Sequence, residues 1–173
     1  MDSVLGDGGR ALSNLISDPS MTARLIDGLD AERLGQLYLE TRTAHERKLL
    51  GQHYTPSRVC DFMTAWTLPS ALTQYIASNS TQPFRILEPG CGTGAFLTSV
   101  LSGFQNTLSI QGRLNSKNPN IRVQGIEYDE MAAEYARKIV QRAERSVGLE
   151  AIEWDIACAD YVHWGEPLAC ALP

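Results

Sequence analysis

Apolar residues along the chain follow two different periods, and the changes between them predict a series of strands and helices. Short apolar runs at 84–88, 121–128 and 151–156 have the length and composition of strands buried in a sheet. Apolar residues at helical spacing follow the first run from Ala95 to about Phe104, and a second helical pattern follows Asp129, which is placed to cap that helix. Short apolar strands that alternate with helices predict parallel pairing with right-handed crossovers, and therefore an α/β fold.

The first 50 residues differ from this pattern and are predicted to form a small helical extension. Asp30 is placed to cap a helix, since Leu34, Leu37 and Tyr38 follow it at helical spacing. Shorter helical patterns precede it. The extension is therefore expected to add helices to a separate unit that contains the sheet.

A further helical pattern begins at 55–56, where Thr55 can cap a helix and Pro56 fits its first position. Pro69 is expected to interrupt this helix, because proline lacks an N–H and clashes with the preceding turn. Four large apolar residues repeat at i, i+3, i+4 and i+7, which predicts that they form its core face. They are Val59, Phe62, Met63 and Trp66.

Composition narrows the class of protein. With 173 residues, 43% of them hydrophobic, the chain can bury one sizeable core and fits one domain with an appendage. The formal net charge of -5 argues against a broad basic surface for nucleic acid, so contact with DNA is expected to be local or to come from other parts of the protein. The four cysteines show no paired spacing, so no metal site is predicted.

The first 20 residues contain charged side chains and no sustained apolar run. Neither a signal peptide nor a transmembrane helix is therefore expected, and no membrane partner is predicted. Reduced thiols and the absence of a leader pattern favour a cytoplasmic protein.

A glycine loop follows the first predicted strand. Gly90, Gly92 and Gly94 can take positive φ angles and let a ligand lie against bare backbone, while the helix that follows favours an anionic group at its start. Glu88, just before the loop, can hold a cation. The spacing differs from that of dinucleotide and P-loop motifs and suits a ligand with an amino acid at one end, such as S-adenosylmethionine (SAM). A tight turn that packs a strand onto a helix is the alternative.

Acidic residues also follow the other two predicted strands. Ligands of parallel sheets bind beyond the carboxyl ends of the strands, where Glu127 is placed to accept hydrogen bonds from both ribose hydroxyls. Tyr128 and Tyr161 can cover the two faces of an adenine, and Asp160 can accept a hydrogen bond from its amine. Alternatively, Glu127 is only a strand end and Asp160 only a turn residue.

Four segments in this order, at 51–56, 86–97, 125–129 and 159–161, resemble the amino-terminal half of the adenine-N6 DNA methyltransferases of restriction-modification systems. The resemblance implies a Rossmann-like SAM-dependent methyltransferase fold, with 51–173 as the amino-terminal part of the SAM-binding domain. It also implies SAM as cofactor and DNA as partner of the full-length enzyme.

The same resemblance implies a role for each matching residue. The acid at the ribose is Glu127, and the acid at the adenine amine is Asp160. Tyr128 and Tyr161 are the aromatic residues that pack on the adenine. The residues that hold the methionine end of SAM are Tyr54, Thr55, Pro56, Glu88, Gly90, Gly92 and Gly94.

The catalytic Asn-Pro-Pro-Tyr motif of these enzymes does not occur in the sequence, so no catalytic residue is assigned here. In the resembling enzymes this motif polarises the amine of a flipped-out adenine. We therefore expect the 173-residue chain to bind SAM but to transfer no methyl group by itself.

The resembling fold places a fourth strand beside 84–88. Without that strand, the open edge and the apolar helices beside it are expected to pair with another copy of the chain, which predicts a homodimer or higher oligomer.

Two other functions remain open at this point. SAM-dependent methyltransferases of RNA or of protein glutamine use a similar first half. A non-catalytic interaction module could keep the same fold without the activity.

Overall fold

The computed structural model describes residues 29–49, 51–110, 120–147 and 152–164. In these segments no helix combines the length and apolarity that a membrane crossing requires. The helical patterns expected before residue 29 lie outside the described residues.

The described segments contain six helices and three strands. The helices are α1 (Ala31–Glu40), α2 (Ala44–Leu49), α3 (Ser57–Ala77), α4 (Ala95–Ile110), α5 (Glu130–Val147) and α6 (Tyr161–Trp164). The strands are β1 (Phe84–Glu88), β2 (Ile121–Glu127) and β3 (Ile152–Cys158).

The three strands form one parallel sheet in the order β1-β2-β3. Phe84 pairs with Ile121, which pairs in turn with Ile152, so the strands start together. Their carboxyl ends consequently lie at one edge of the sheet. The predicted α/β fold with a partial parallel sheet is confirmed.

The main core lies between the sheet and helices α3, α4 and α5. Ile121 and Val123 of β2 alternate with exposed or half-buried neighbours, as expected for a strand that is covered on one face. Phe104 of α4 is fully buried and packs edge-on against Phe84, with ring centroids 5.7 Å apart. Helix α4 is longer than predicted: it continues beyond Phe104, where the sequence predicted its end, and runs to Ile110.

Helix α3 buries a different face from the one predicted. Its buried residues recur every four positions: Cys60, Thr64, Leu68 and Leu72. The predicted core residues are exposed, up to 76% for Trp66. The prediction was wrong because α3 packs closely on α4, where an added Cβ at Gly103 would lie 2.8 Å from Thr64 Cγ2. Gly103 has no side chain, so Thr64 and Leu68 of α3 can pack directly against α4 at this point, and the face that carries them is the one that is buried.

The start and middle of α3 also differ from expectation. Pro56, not Thr55, is the N-cap of α3, and the N-cap side chain makes no capping hydrogen bond. The N–H of Ser57 instead donates to Glu32 Oε2 of α1 at 2.9 Å. Pro69 lies inside a continuous helix, since α3 extends to Ala77.

Helix α1 packs on α5 and forms a second buried cluster. Asp30 accepts a hydrogen bond from the N–H of Arg33 at 2.7 Å, which confirms the predicted cap. Leu34 and Tyr38 are buried against α5, where the rings of Tyr38 and Tyr135 meet edge-on at 5.6 Å. The helix therefore packs beside the carboxyl edge of the sheet.

Candidate functional site

A cleft of about 580 Å³ lies at the carboxyl edge of the sheet. Its walls come from the segment before α3, the glycine loop and the ends of β2 and β3. Among the residues predicted for the site, those in its walls are Tyr54, Gly90, Gly92, Glu127, Tyr128, Asp160 and Tyr161. The structure therefore brings together most of the set that the sequence proposed.

The other four predicted residues are not in the cleft wall. Thr55 and Pro56 continue from Tyr54 into the start of α3. Glu88 ends β1 beside Gly125 and is half-buried, and this burial raises the pKa of its carboxyl. Gly94 lies where the loop enters α4, and a Cβ added to it would lie 3.5 Å from Cα of Ala136 in α5.

The glycine loop needs glycine for two different reasons. Gly92 and Gly94 have φ angles of 52° and 92°, in the left-handed region that other residues rarely adopt. In addition, a Cβ at Gly92 would lie 2.5 Å from Cε1 of Tyr54. Gly90 has open space where a Cβ would stand, and it lines the cleft. The loop therefore presents bare backbone on one side and receives an aromatic ring on the other.

The ring of Tyr54 is held between the loop and helix α1. A Cβ at Gly35 of α1 would lie 2.8 Å from its Cδ2, so both contacts require glycine. Burial raises the pKa of the Tyr54 hydroxyl most, and the negative charge of Glu127 raises it further. Within the described part of the chain its buried hydroxyl has no hydrogen-bond partner. The sequence analysis missed Gly35, although a glycine inside a helix costs about 1 kcal/mol relative to alanine and is a signal of close packing.

Glu127 is fixed by the backbone around it. Its Oε2 accepts the N–H of Gly92, and its Oε1 accepts the N–H of Asp129, both at 2.8 Å. Each carboxylate oxygen can accept a second hydrogen bond. The side chain is therefore oriented in advance and still able to accept two hydroxyl groups.

The opposite end of the cleft is open to solvent. Tyr128 and Tyr161 are 65% and 42% exposed. Asp160 accepts hydrogen bonds from the ring of His163 at 2.9 Å and from the N–H of Val162 at 3.0 Å, and these two contacts lower the pKa of its carboxyl. The arrangement offers two aromatic faces and one acceptor, which suits a planar ring with an amine.

Asp129 joins three segments, which the sequence did not predict beyond its role as a helix cap. That cap is confirmed, because Oδ1 accepts the N–H groups of Met131 and Ala132 at 3.0 and 3.2 Å. The same carboxylate also accepts hydrogen bonds from three side chains that precede the sheet. They are Tyr38 at 2.7 Å, Arg42 at 2.9 Å and Gln52 at 2.8 Å.

The pKa of Asp129 reflects these partners. Burial acts to raise it, but the hydrogen bonds from Tyr38 and from the N–H of Ala132, with the charge of Arg42, outweigh burial and lower it. The carboxylate is therefore charged at neutral pH although its side chain is only 5% exposed. Its long-range partners had no signal in the sequence.

Comparison with protein-family models matches residues 30–140 to the N-6 DNA methylase family. The match includes α1 together with the glycine loop, β1, β2 and the first half of α5. The comparisons with curated proteins and with solved structures produced no match. Because the matched segment covers well over half of the sequence, the chain belongs to the N-6 DNA methylase family.

Proposed function

We propose that this chain binds SAM in the cleft and is the cofactor-binding part of a DNA methyltransferase that acts on adenine N6 in a restriction-modification system. The observation that carries the proposal is Glu127. Its two oxygens are held by the N–H groups of Gly92 and Asp129 at the wall of the cleft, with free acceptor capacity on both. This arrangement suits the two hydroxyls of a ribose, each of which can donate to one carboxylate oxygen.

The rest of the cleft supports the same ligand. The backbone at Gly90 is open. The hydroxyl of Tyr54 and Oε1 of Gln52 have no hydrogen-bond partner among the described residues. The charged amino-acid end of SAM therefore suits this side of the cleft. Tyr128, Tyr161 and Asp160 suit the adenine. When bound, SAM supplies a sulfonium methyl group for transfer, and the residues of this chain hold and orient it.

The identity of the methyl acceptor rests on the family. N-6 DNA methylases generally use SAM, and the family description favours DNA over RNA or protein as substrate. Contact with DNA belongs, in this proposal, to the full-length protein, since the chain carries a net charge of -5. A cytoplasmic location is part of the same proposal.

Calorimetric titration with S-adenosylhomocysteine (SAH) tests the cofactor. We expect Glu127→Ala to weaken binding by about 100-fold or more, because two hydrogen bonds to a charged acceptor are lost. Glu130→Ala is the matched control, since Glu130 is an exposed acid at the start of α5. Absence of binding to the folded wild-type chain, or equal affinity of the Glu127 variant, would refute the proposal.

Self-association stays a prediction. In the described segments β1 pairs only with β2, so its other edge has no strand beside it. Such an edge pairs readily with a strand of another chain. Light scattering at high micromolar concentration is the test, and a stable monomer would contradict the expected oligomer.

A further inference from the structure

We propose that Arg42 is a positioning residue of the cofactor site, which acts through Asp129 on Glu127 and on the segment that carries Tyr54. The inference rests on the proposed SAM site and adds a residue that neither the sequence motifs nor the lining of the cleft includes. It depends on the Asp129 cluster, which consists of Tyr38, Arg42, Gln52 and Asp129.

The cluster contains a buried charge that needs its partners. Asp129 is 5% exposed, and in the described part of the chain its only salt bridge is with Arg42 at 2.9 Å. Arg42 also donates to the hydroxyl of Tyr38, which in turn donates to Asp129. A buried carboxylate that loses its cation is strongly destabilised unless it moves or takes up a proton. Removal of Arg42 should therefore displace or neutralise the Asp129 side chain.

One route from Asp129 leads to the ribose acid. The backbone N–H of Asp129 donates to Glu127 Oε1, while its side chain caps α5 at Met131 and Ala132. Glu127 Oε2 in turn accepts the N–H of Gly92. A shift of Asp129 is thus transmitted by two consecutive hydrogen bonds to the carboxylate and the glycine loop.

A second route leads to the segment before α3. Gln52 Nε2 donates to Asp129 Oδ2 at 2.8 Å. Because a carboxylate only accepts, the amide must turn its nitrogen toward Asp129, so its orientation is set by this contact. Gln52 and Tyr54 both line the cleft. The Asp129 cluster therefore fixes the position of the two walls of the cleft relative to each other.

Helix α1 does not depend on Arg42 for its place in the fold. Thr93 Oγ1 donates to the carbonyl of Ala31 at 2.8 Å, and Glu32 accepts the N–H of Ser57 at 2.9 Å. Arg42 itself follows α1 and is 28% exposed. The loss of its side chain should therefore change the Asp129 cluster while α1 stays docked.

The test compares SAH affinity among three variants of the 173-residue chain, at a temperature where each is folded. Arg42→Leu should weaken binding by about tenfold, and Arg42→Lys should recover part of the loss because it restores the charge. Arg33→Leu, at an exposed arginine of α1, should bind within about twofold of wild type. Affinity measured on folded protein does not change with a merely structural loss of stability.

Hydrogen exchange of the Gly92 amide, measured without ligand, gives a second readout. It should be faster in Arg42→Leu than in wild type, because its acceptor Glu127 is held less firmly. If wild type fails to bind SAH, the proposed function fails, and the exchange rate alone then decides the inference. If wild type binds, affinity decides it.

If Arg42→Leu does not fold, Tyr38→Phe replaces it in both measurements. This variant removes one hydrogen-bond donor to Asp129 and keeps the ring against Tyr135. Its expected loss of SAH affinity is about threefold. The inference is overturned if the folded variant binds SAH as wild type does or, where wild type does not bind, if its Gly92 amide exchanges at the wild-type rate.

Discussion

The two ends of the cleft are built differently. At the end assigned to the ribose, Glu127 is bound by the glycine loop on one side and by Asp129 on the other. At the end assigned to the adenine, Tyr128 and Tyr161 are largely exposed. Asp160 has partners only two and three residues away in the described chain, Val162 and His163. The first end depends on contacts between distant segments, and the second on one short helix.

This difference has a consequence for binding. A group that is already oriented loses little conformational freedom when a ligand arrives, whereas exposed side chains must be ordered at that moment. The ribose end should therefore contribute more to affinity than the adenine end. It should also be more sensitive to small changes in packing.

A large effect, comparable to that of Glu127→Ala, is expected from Gly92→Ala, which disturbs the ordered end. The added Cβ would lie 2.5 Å from Tyr54 Cε1, at a φ angle of 52° that disfavours alanine. We expect SAH affinity to fall by about 100-fold and the thermal stability of the chain to decrease. Gly90→Ala controls for stability, because in the described part of the chain no atom beyond the two neighbouring residues lies within 4 Å of its Cβ position. Normal SAH binding by Gly92→Ala would remove the proposed contrast.

A smaller effect is expected from Asp160→Ala at the open end. The Asp160 side chain is 43% exposed, and its hydrogen bonds to described residues are all local, so SAH affinity should fall by about fivefold with no change in melting temperature. Asp155→Ala, an exposed acid within β3, is the matched control. A loss as large as that of Glu127→Ala, measured by the same titration, would show that both ends contribute equally.

The smallest effect concerns the dependence of folding stability on pH. The pKa of Asp129 is lower in the folded chain than the unfolded value of about 3.9. Its contribution to stability is therefore present above that value and is lost as pH falls through the folded pKa. Denaturant titrations between about pH 3 and 7 should show a shallower acid loss for Asp129→Asn than for wild type. An unchanged slope would mean that folding does not lower the pKa of Asp129.

Much of the fold follows from local pattern. The three strands, the glycine loop and the caps at Asp30 and Asp129 agree with the sequence prediction, because each depends on residues within a few positions of one another. The exposed face of α3 shows the limit of this reasoning. Helical spacing identified an apolar stripe on α3, but the close approach of Gly103 decided which stripe is buried.

The candidate site divides in the same way. The sequence alone determined which acids and glycines stand at the strand ends, because strand length and turn chemistry place them there. Only the tertiary structure decided that Gly35 supports Tyr54 and that Arg42 pairs with Asp129. The residues of that ion pair are 87 positions apart, and no local propensity links them. They meet because α1 packs on α5, a contact between distant apolar faces that sequence periodicity does not specify.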